Sequence, residues 1–227
     1  EPIMSEGIPG IYLLMRERTY VYKSLSELYR GKPSEQLLVA INTESFRNLG
    51  ATVEDRFELL KGGHRLICEF LEEIKDPNKI LNLLHEEYGR IFQDVGFALQ
   101  RNYKSQENGD ILNSLAKLYE KEGWVPPEGH PREPDHISVQ CEFMVHLCTK
   151  SRKAIIDRKV EVVHENLKVQ IDFLYKHVYN WVPTFCDELY KRAESKFYRG
   201  VADLTKGFIT IDKEAFGTIM ETGPSQP

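Results

Sequence analysis

Apolar residues recur three and four positions apart along almost the whole chain, the spacing that gathers them on one face of an α-helix. Residues 12–29 show it first, and Gly31, Lys32 and Pro33 close that segment as a stop signal. Residues 34–41 and 52–60 read as short helices, the second opened by Thr52 with Asp55 three residues on, an incomplete capping box. Gly62 and Gly63 read as a break before a helix over 64–74. Asp76 and Pro77 launch a helix through Leu83 to Phe92. After a polar loop at 104–109, Asp110 is placed to cap a helix over 111–122.

Prolines at 126 and 127, flanked by Gly123 and Gly129, disfavour helix on both sides and mark a linker. Beyond it, Ile137, Cys141, Met144 and Cys148 step at helical spacing, with Phe143 and Leu147 widening the stripe. Val160, Val163, Leu167, Ile171, Leu174 and Val178 predict one long amphipathic helix that Pro183 ends, and Phe185, Leu189, Ala193 and Phe197 supply the next face. Only 208–211 has strand character, and 222–227 is expected to be disordered. The pattern predicts an all-α fold, one globular helical domain of two lobes. The expected divisions are a flexible N-terminus (1–10), an N-terminal helical lobe (11–122), a Pro/Gly linker (123–134), a C-terminal helical lobe (135–204) and a partly disordered tail (205–227).

Composition narrows the function classes. With 227 residues the chain can bury a substantial core, and 41% hydrophobic and 29% charged residues describe an ordinary globular protein. The net charge of −5 disfavours nucleic acid and suits a cationic partner. A helical DNA-binding regulator fails on the same ground, since the basic run around Lys150, Arg152, Lys153, Arg158 and Lys159 is broken by apolar and acidic residues. Cys68, Cys141, Cys148 and Cys186 form no Cys-x-x-Cys pair and read as buried apolar residues in a reducing compartment. No segment approaches transmembrane length, and residues 11–15 are too short for a signal-peptide core. There is no adjacent arginine pair, and a chain that begins at Glu1 reads as trimmed. A cytoplasmic location without stable membrane insertion is the resulting expectation.

Catalytic constellations are sparse. There is no P-loop, no zinc spacing and no Gly-x-Ser-x-Gly elbow. One rival to a binding function is a carboxylate and histidine metal-binding oxidoreductase built in a helical bundle. Glu161 and His164 have the Glu-x-x-His spacing of such sites, and Glu142 and His146 are a further pair at i and i+4. A second Glu-x-x-His is missing, and a lone copy in a charged helix is an ordinary solvated face.

The densest chemistry lies in Pro131-Arg132-Glu133-Pro134-Asp135-His136-Ile137, an acid and an imidazole at a helix start behind a stiffening proline. Asp135 stands where an N-cap is wanted, which accounts for it without any ligand. Glu133-Pro134-Asp135-His136 followed by Glu142-Phe143-Met144 and Leu147 also resembles the signature of the TorD/DmsD family of molybdoenzyme chaperones, with Gln140-Cys141 where that family usually has Glu-Leu. The likeness continues in order: 18–29 and 33–38 are similar to the family's opening helix and turn. Tyr88-Gly89-Arg90-Ile91-Phe92 is similar to its Tyr-x-Arg-Leu-Phe element, though Gln93-Asp94-Val95-Gly96 follows instead of Gly-Pro. Residues 173–178, 181–185 and 197–199 resemble its closing helices.

The resemblance implies a binding protein with no chemical step, and since the sequence shows no catalytic, metal or nucleotide site, no catalytic residue, metal or cofactor is expected. Its partners would be the twin-arginine signal peptide and the apo form of a molybdoenzyme catalytic subunit. The implied signal-peptide site comprises Glu133, Pro134, Asp135, His136, Phe143 and Met144, with Tyr88, Arg90 and Phe92 lining or supporting a groove. Within it Asp135 is expected to act mainly as the cap, with His136 or Glu133 facing the ligand. Tyr20, Tyr22, Trp181 and Phe197 are assigned to packing. The family also implies either a monomer or a domain-swapped dimer.

Overall fold

The computed structural model describes residues 3–41, 43–44, 57–103 and 108–221, and these are helical almost throughout. The helices are α1 (Ile3–Arg30), α2 (Glu35–Ile41), α3 (Glu58–Ile74), α4 (Pro77–Ile91), α5 (Asn108–Lys121), α6 (Ile137–Ile156), α7 (Val160–Phe173), α8 (Val182–Arg192) and α9 (Lys196–Glu221). Short 3₁₀ turns occupy Val95–Ala98 and Gln100–Asn102, and a π-turn, Leu174–Tyr179, follows α7. Among the described residues there is no strand, and one isolated antiparallel bridge joins Leu99 to His136.

Local signals account for several of these boundaries. Asp76 caps α4, its carboxylate accepting the N–H groups of Asn78 and Lys79, with Pro77 in the first turn. The end of α5 is a Schellman turn: Gly123 at φ +62° gives its N–H to Glu120, and Trp124 gives its own to Tyr119. The Trp124 and Tyr119 rings then meet at 4.9 Å, the apolar contact that accompanies this turn.

The chain divides into two compact units, and the division is not the sequential one that the proline linker suggests. One unit comprises residues 1–30 with 99–178, the other 31–98 with 179–227. The reason is α1: its apolar face packs on α6, more than a hundred residues away, and α7 covers the same helix. Met15, Tyr22, Leu25 and Tyr29 from α1 are buried in this unit, as are Phe143, Met144, Leu147 and Cys148 from α6. Trp124, within the expected linker, packs on Phe143 at 5.1 Å.

In the second unit α3 crosses α9, and α9 also packs on α8. Phe70, Phe97, Trp181, Phe185, Phe197 and Tyr198 fill the unit's core. Gly62 and Gly63 do not break α3. A Cβ on Gly63 would stand 2.6 Å from the Gly200 carbonyl oxygen, so this glycine is where the two backbones touch.

Other expectations change with the tertiary contacts. Residues 3–10, expected to be flexible, are helical, since α1 already runs from Ile3. Residues 208–211 belong to α9, where Ile209, Asp212 and Phe216 are buried, so the tail is helical to Glu221. The long helix from Val160 stops at Phe173 and turns π-helical, Pro183 opens α8 instead of closing its predecessor, and Ala193 ends α8 before α9 begins. Tyr20 is 66% exposed, whereas Tyr22, Trp181 and Phe197 are buried. α5 starts at Asn108, two residues before Asp110. The proposed start at Thr52 and Asp55, and 104–107 of the polar loop, lie outside the described residues.

Candidate functional site

Pro134 and the start of α6 set the geometry of the Asp–His turn in the first unit. His136 is in extended backbone geometry, φ −70° and ψ 138°, and it is the N-cap of α6. The Ser138 N–H donates to its Nδ1 at 3.2 Å, and the Ser138 hydroxyl lies 2.8 Å from the same atom. A ring nitrogen that accepts a backbone N–H carries its lone pair there, so the neutral ring holds its proton on Nε2. Burial, and then the charge of His130, depress the His136 pKa to about 4. The cap is therefore built for the neutral imidazole.

Asp135 is not the cap, contrary to the sequence expectation. With the cap position taken by His136, its side chain turns to a distant loop. Oδ2 accepts the Arg101 backbone N–H at 3.0 Å, and the Arg101 Nε stands 3.7 Å from the same oxygen. The Asp135 backbone carbonyl accepts the Gln100 N–H at 3.0 Å, continuing the bridge between Leu99 and His136. Asp135 is wholly buried, and among the described residues its Oδ1 has no hydrogen-bond partner. A buried carboxylate oxygen without a donor is uncommon, because an ion removed from water needs its lone pairs filled.

Around this turn the polar side chains are tightly tied. Tyr119 Oη donates to the Pro134 carbonyl at 2.8 Å, and burial beside Asp135 holds that phenol well above its ordinary pKa. Gln140 donates to Gln100 Oε1 at 2.7 Å, and Gln100 Nε2 donates to the Lys176 carbonyl at 3.1 Å. On the α1 side, Lys23 Nζ bridges both oxygens of the buried Glu142 at 2.9 and 3.1 Å. His130 Nε2 is 3.0 Å from the Ser26 hydroxyl and 3.8 Å from Glu142, and its Nδ1 meets the Pro127 carbonyl at 3.2 Å. Ser26 in turn donates to the Ser138 carbonyl at 3.0 Å.

The structure separates the sequence-predicted residues into three groups. Glu133 and Pro134 are half-buried and flank Asp135 and His136 in the turn. Phe143 and Met144 have no exposed surface, so as packed they cannot line a groove. Phe143 is instead enclosed by Tyr119, Trp124 and Phe173. Tyr88, Arg90 and Phe92 belong to the second unit. There Tyr88 and Phe92 stack at 4.5 Å, burial pushes the Tyr88 phenol up to about 12, and Arg90 donates to the Arg192 carbonyl at 3.1 Å. Arg90 also faces Glu87 and Glu194 on the wall of a cavity of about 400 Å³.

Arg101, Gln100, His130, Ser26 and Lys23 are site residues that the motif reading misses. A signal existed for one of them: Ser26 falls on the apolar face of α1, beside Tyr22, Leu25 and Tyr29. A polar residue in that register calls for a buried partner.

The metal alternative loses its parts. Glu142 is engaged by Lys23 and His130, and Glu161 and His164 are exposed. Among the described residues no group of three His, Cys, Asp or Glu side chains could hold an ion.

A family model described as the nitrate reductase delta subunit matches residues 60–187, more than half the chain. The chain belongs to this family of TorD-like chaperones. It is 23% identical over 216 residues to the chaperone protein TorD of Vibrio cholerae serotype O1, an alignment covering 92% of this chain and 96% of the relative. A TorD of Shewanella loihica is 25% identical over 221 residues, with 88% and 93% covered. The selenate reductase assembly chaperone protein of Thauera selenatis is 30% identical over 117 residues, covering 48% of this chain and 59% of that protein. These names describe chaperones and not catalysts. No helix among the described residues of this TorD-like chaperone is long and apolar enough to cross a membrane.

Proposed function

We propose that this chaperone acts in the cytoplasm on a molybdenum-cofactor oxidoreductase, binding the twin-arginine signal peptide of the apo-enzyme and assisting its maturation before export. The relatives named TorD and selenate reductase assembly chaperone support the client class. The observation that carries the peptide reading is the Asp135 carboxylate, wholly buried and with no donor on Oδ1 among the described residues. A signal peptide of this type offers two guanidinium groups, each a planar set of donors shaped for a carboxylate. Glu133, Pro134, Asp135 and His136 form the recognition turn in this reading. Phe143 packs on Tyr119, whose hydroxyl holds the Pro134 carbonyl of that turn, Met144 fills the core beside it, and Tyr88, Arg90 and Phe92 supply support within their own unit.

Calorimetric titration with the twin-arginine leader peptides of molybdoenzymes from the same organism tests the proposal. A Lys–Lys peptide, Asp135→Asn and His136→Asn accompany it, the last retaining an N-cap side chain. The expected result is saturable binding to one leader. Lys–Lys replacement or Asp135→Asn should weaken it about tenfold, the loss of one charge-assisted hydrogen bond. Absence of binding to every leader rejects the reading.

A further inference from the structure

We infer that Arg101 is an internal stand-in for a ligand guanidinium, occupying Asp135 in the free chaperone and leaving it when a guanidinium ligand arrives. The inference rests on the signal-peptide reading and adds to it the residue that sets affinity and the choice of arginine over lysine.

The contact between the two side chains is loose. Arg101 Nε stands 3.7 Å from Asp135 Oδ2, against about 2.7–2.9 Å for a charge-assisted hydrogen bond. It reaches one oxygen only, and the other has no donor among the described residues. Among the described residues no other cation is paired with Asp135. The partners also differ in solvation: the Asp135 side chain is 0% exposed, whereas that of Arg101 is 29% exposed. A buried carboxylate is stabilised in full only when all its acceptor positions are met, and a single distant Nε does not meet them. The pair is thus half made.

Asp135 has no exposed surface in this state, so exchange requires the Arg101 side chain to swing away and open the carboxylate. The Arg101 N–H donates to Asp135 Oδ2, and the neighbouring Gln100 is held by the Asp135 carbonyl and by Gln140. The loop therefore stays pinned while the Arg101 side chain swings out. An incoming guanidinium presenting two parallel N–H groups can reach both carboxylate oxygens, which a compact ammonium cannot do in one geometry. Asp135 thereby gains the donor that Oδ1 lacks. Because the bound state requires Arg101 to leave, the apparent affinity is lowered by the fraction of time the carboxylate is covered.

The test uses full-length wild type, Arg101→Gln and Asp135→Asn, with backbone amide resonances followed during titration with N-ethylguanidinium chloride or ethylammonium chloride. Arg101→Gln keeps the backbone donor and removes only the competing guanidinium. Ethylguanidinium should shift the amides of Gln100, Arg101, Asp135 and His136 in wild type, and ethylammonium should not at equal concentration. The midpoint should fall about three- to tenfold in Arg101→Gln, and Asp135→Asn should not respond. Equal midpoints in wild type and Arg101→Gln, or no shift in either, overturn the inference. Leader peptides then separate it from the function on which it rests. Leader binding with unchanged affinity in Arg101→Gln removes the stand-in and leaves the signal-peptide reading intact. A guanidinium response with no leader bound removes that reading and leaves the exchange at Asp135.

Discussion

The carboxylate of Asp135 accepts the backbone N–H of Arg101 at 3.0 Å, a bond between residues 34 positions apart. One residue later, His136 takes over the local task of capping α6. The neighbouring acid and imidazole thus divide their work: the imidazole satisfies the first turn of its own helix, and the acid pins a distant loop to it. That division determines how each responds to substitution.

Asp135→Ala leaves the half-buried Arg101 N–H without an acceptor and the Arg101 side chain without its counter-charge. Loss of a hydrogen bond to a buried charged group costs about 2 kcal/mol. Asp135→Asn keeps an acceptor oxygen and should cost about half as much. Urea unfolding midpoints at unchanged m-value separate the two. Equal stability of Asp135→Ala and wild type would refute the pinning role.

His136 makes stability depend on pH. Burial lowers its pKa to about 4 in the folded chain, against about 6.5 when unfolded. Between these values the unfolded chain binds the proton and the folded chain does not, so stability rises with pH across this window and is lost as pH falls from 6.5 towards 4. The full effect is about 3 kcal/mol. The folded pKa values of His130 and His146 are also lowered, chiefly by burial, so their contributions have the same sign. His136→Asn, which caps without titrating, should flatten the dependence of the unfolding midpoint on pH. An unchanged slope would show that the ring is not the sensor.

Lys23 and Glu142 tie α1 to α6, with side chains 45% and 9% exposed. The pair is half solvated, so its coupling is discounted from that of a fully buried one, to about 1 kcal/mol. Glu142→Gln alone should cost more than Lys23→Met, because Glu142 also faces His130 at 3.8 Å. A double-mutant cycle measures the coupling, and additive single effects would mean this ion pair contributes nothing to the contact between the helices.

What was legible in the sequence was local. The periods of α1 and α6, the cap at Asp76 and the oddity of Asp135 and His136 all depend on residues within a few positions of each other. What was not legible depends on partners far along the chain: Arg101 for Asp135, Ser26 for His130 and Lys23 for Glu142. The two-unit division escaped for the same reason, since the proline linker is visible and the return of α1 onto α6 is not. Phe143 and Met144 were identified by motif, but their motif positions and their core positions on α6 coincide, and burial assigns them to packing.

Gly62 and Gly63 show the limit most sharply, because adjacent glycines with the same sequence signal have opposite structural roles. A Cβ on Gly63 would meet the Gly200 carbonyl at 2.6 Å and the Leu204 nitrogen at 2.7 Å, and a Cβ on Gly200 would meet the Gly63 carbonyl at 2.5 Å. These neighbours are backbone and cannot rotate away, so α3 and α9 would have to separate. Gly63→Ala and Gly200→Ala should each destabilise by about 3 kcal/mol, the upper range for overpacking. At Gly62 nothing lies within 4 Å of the same construction. Gly62→Ala should therefore stabilise α3 by about 0.5–1 kcal/mol through backbone entropy alone. Thermal unfolding of the three variants gives opposite signs at positions 62 and 63 if α3 crosses α9 without a break. The same sign at both would return the pair to the helix-breaking role that the sequence suggests.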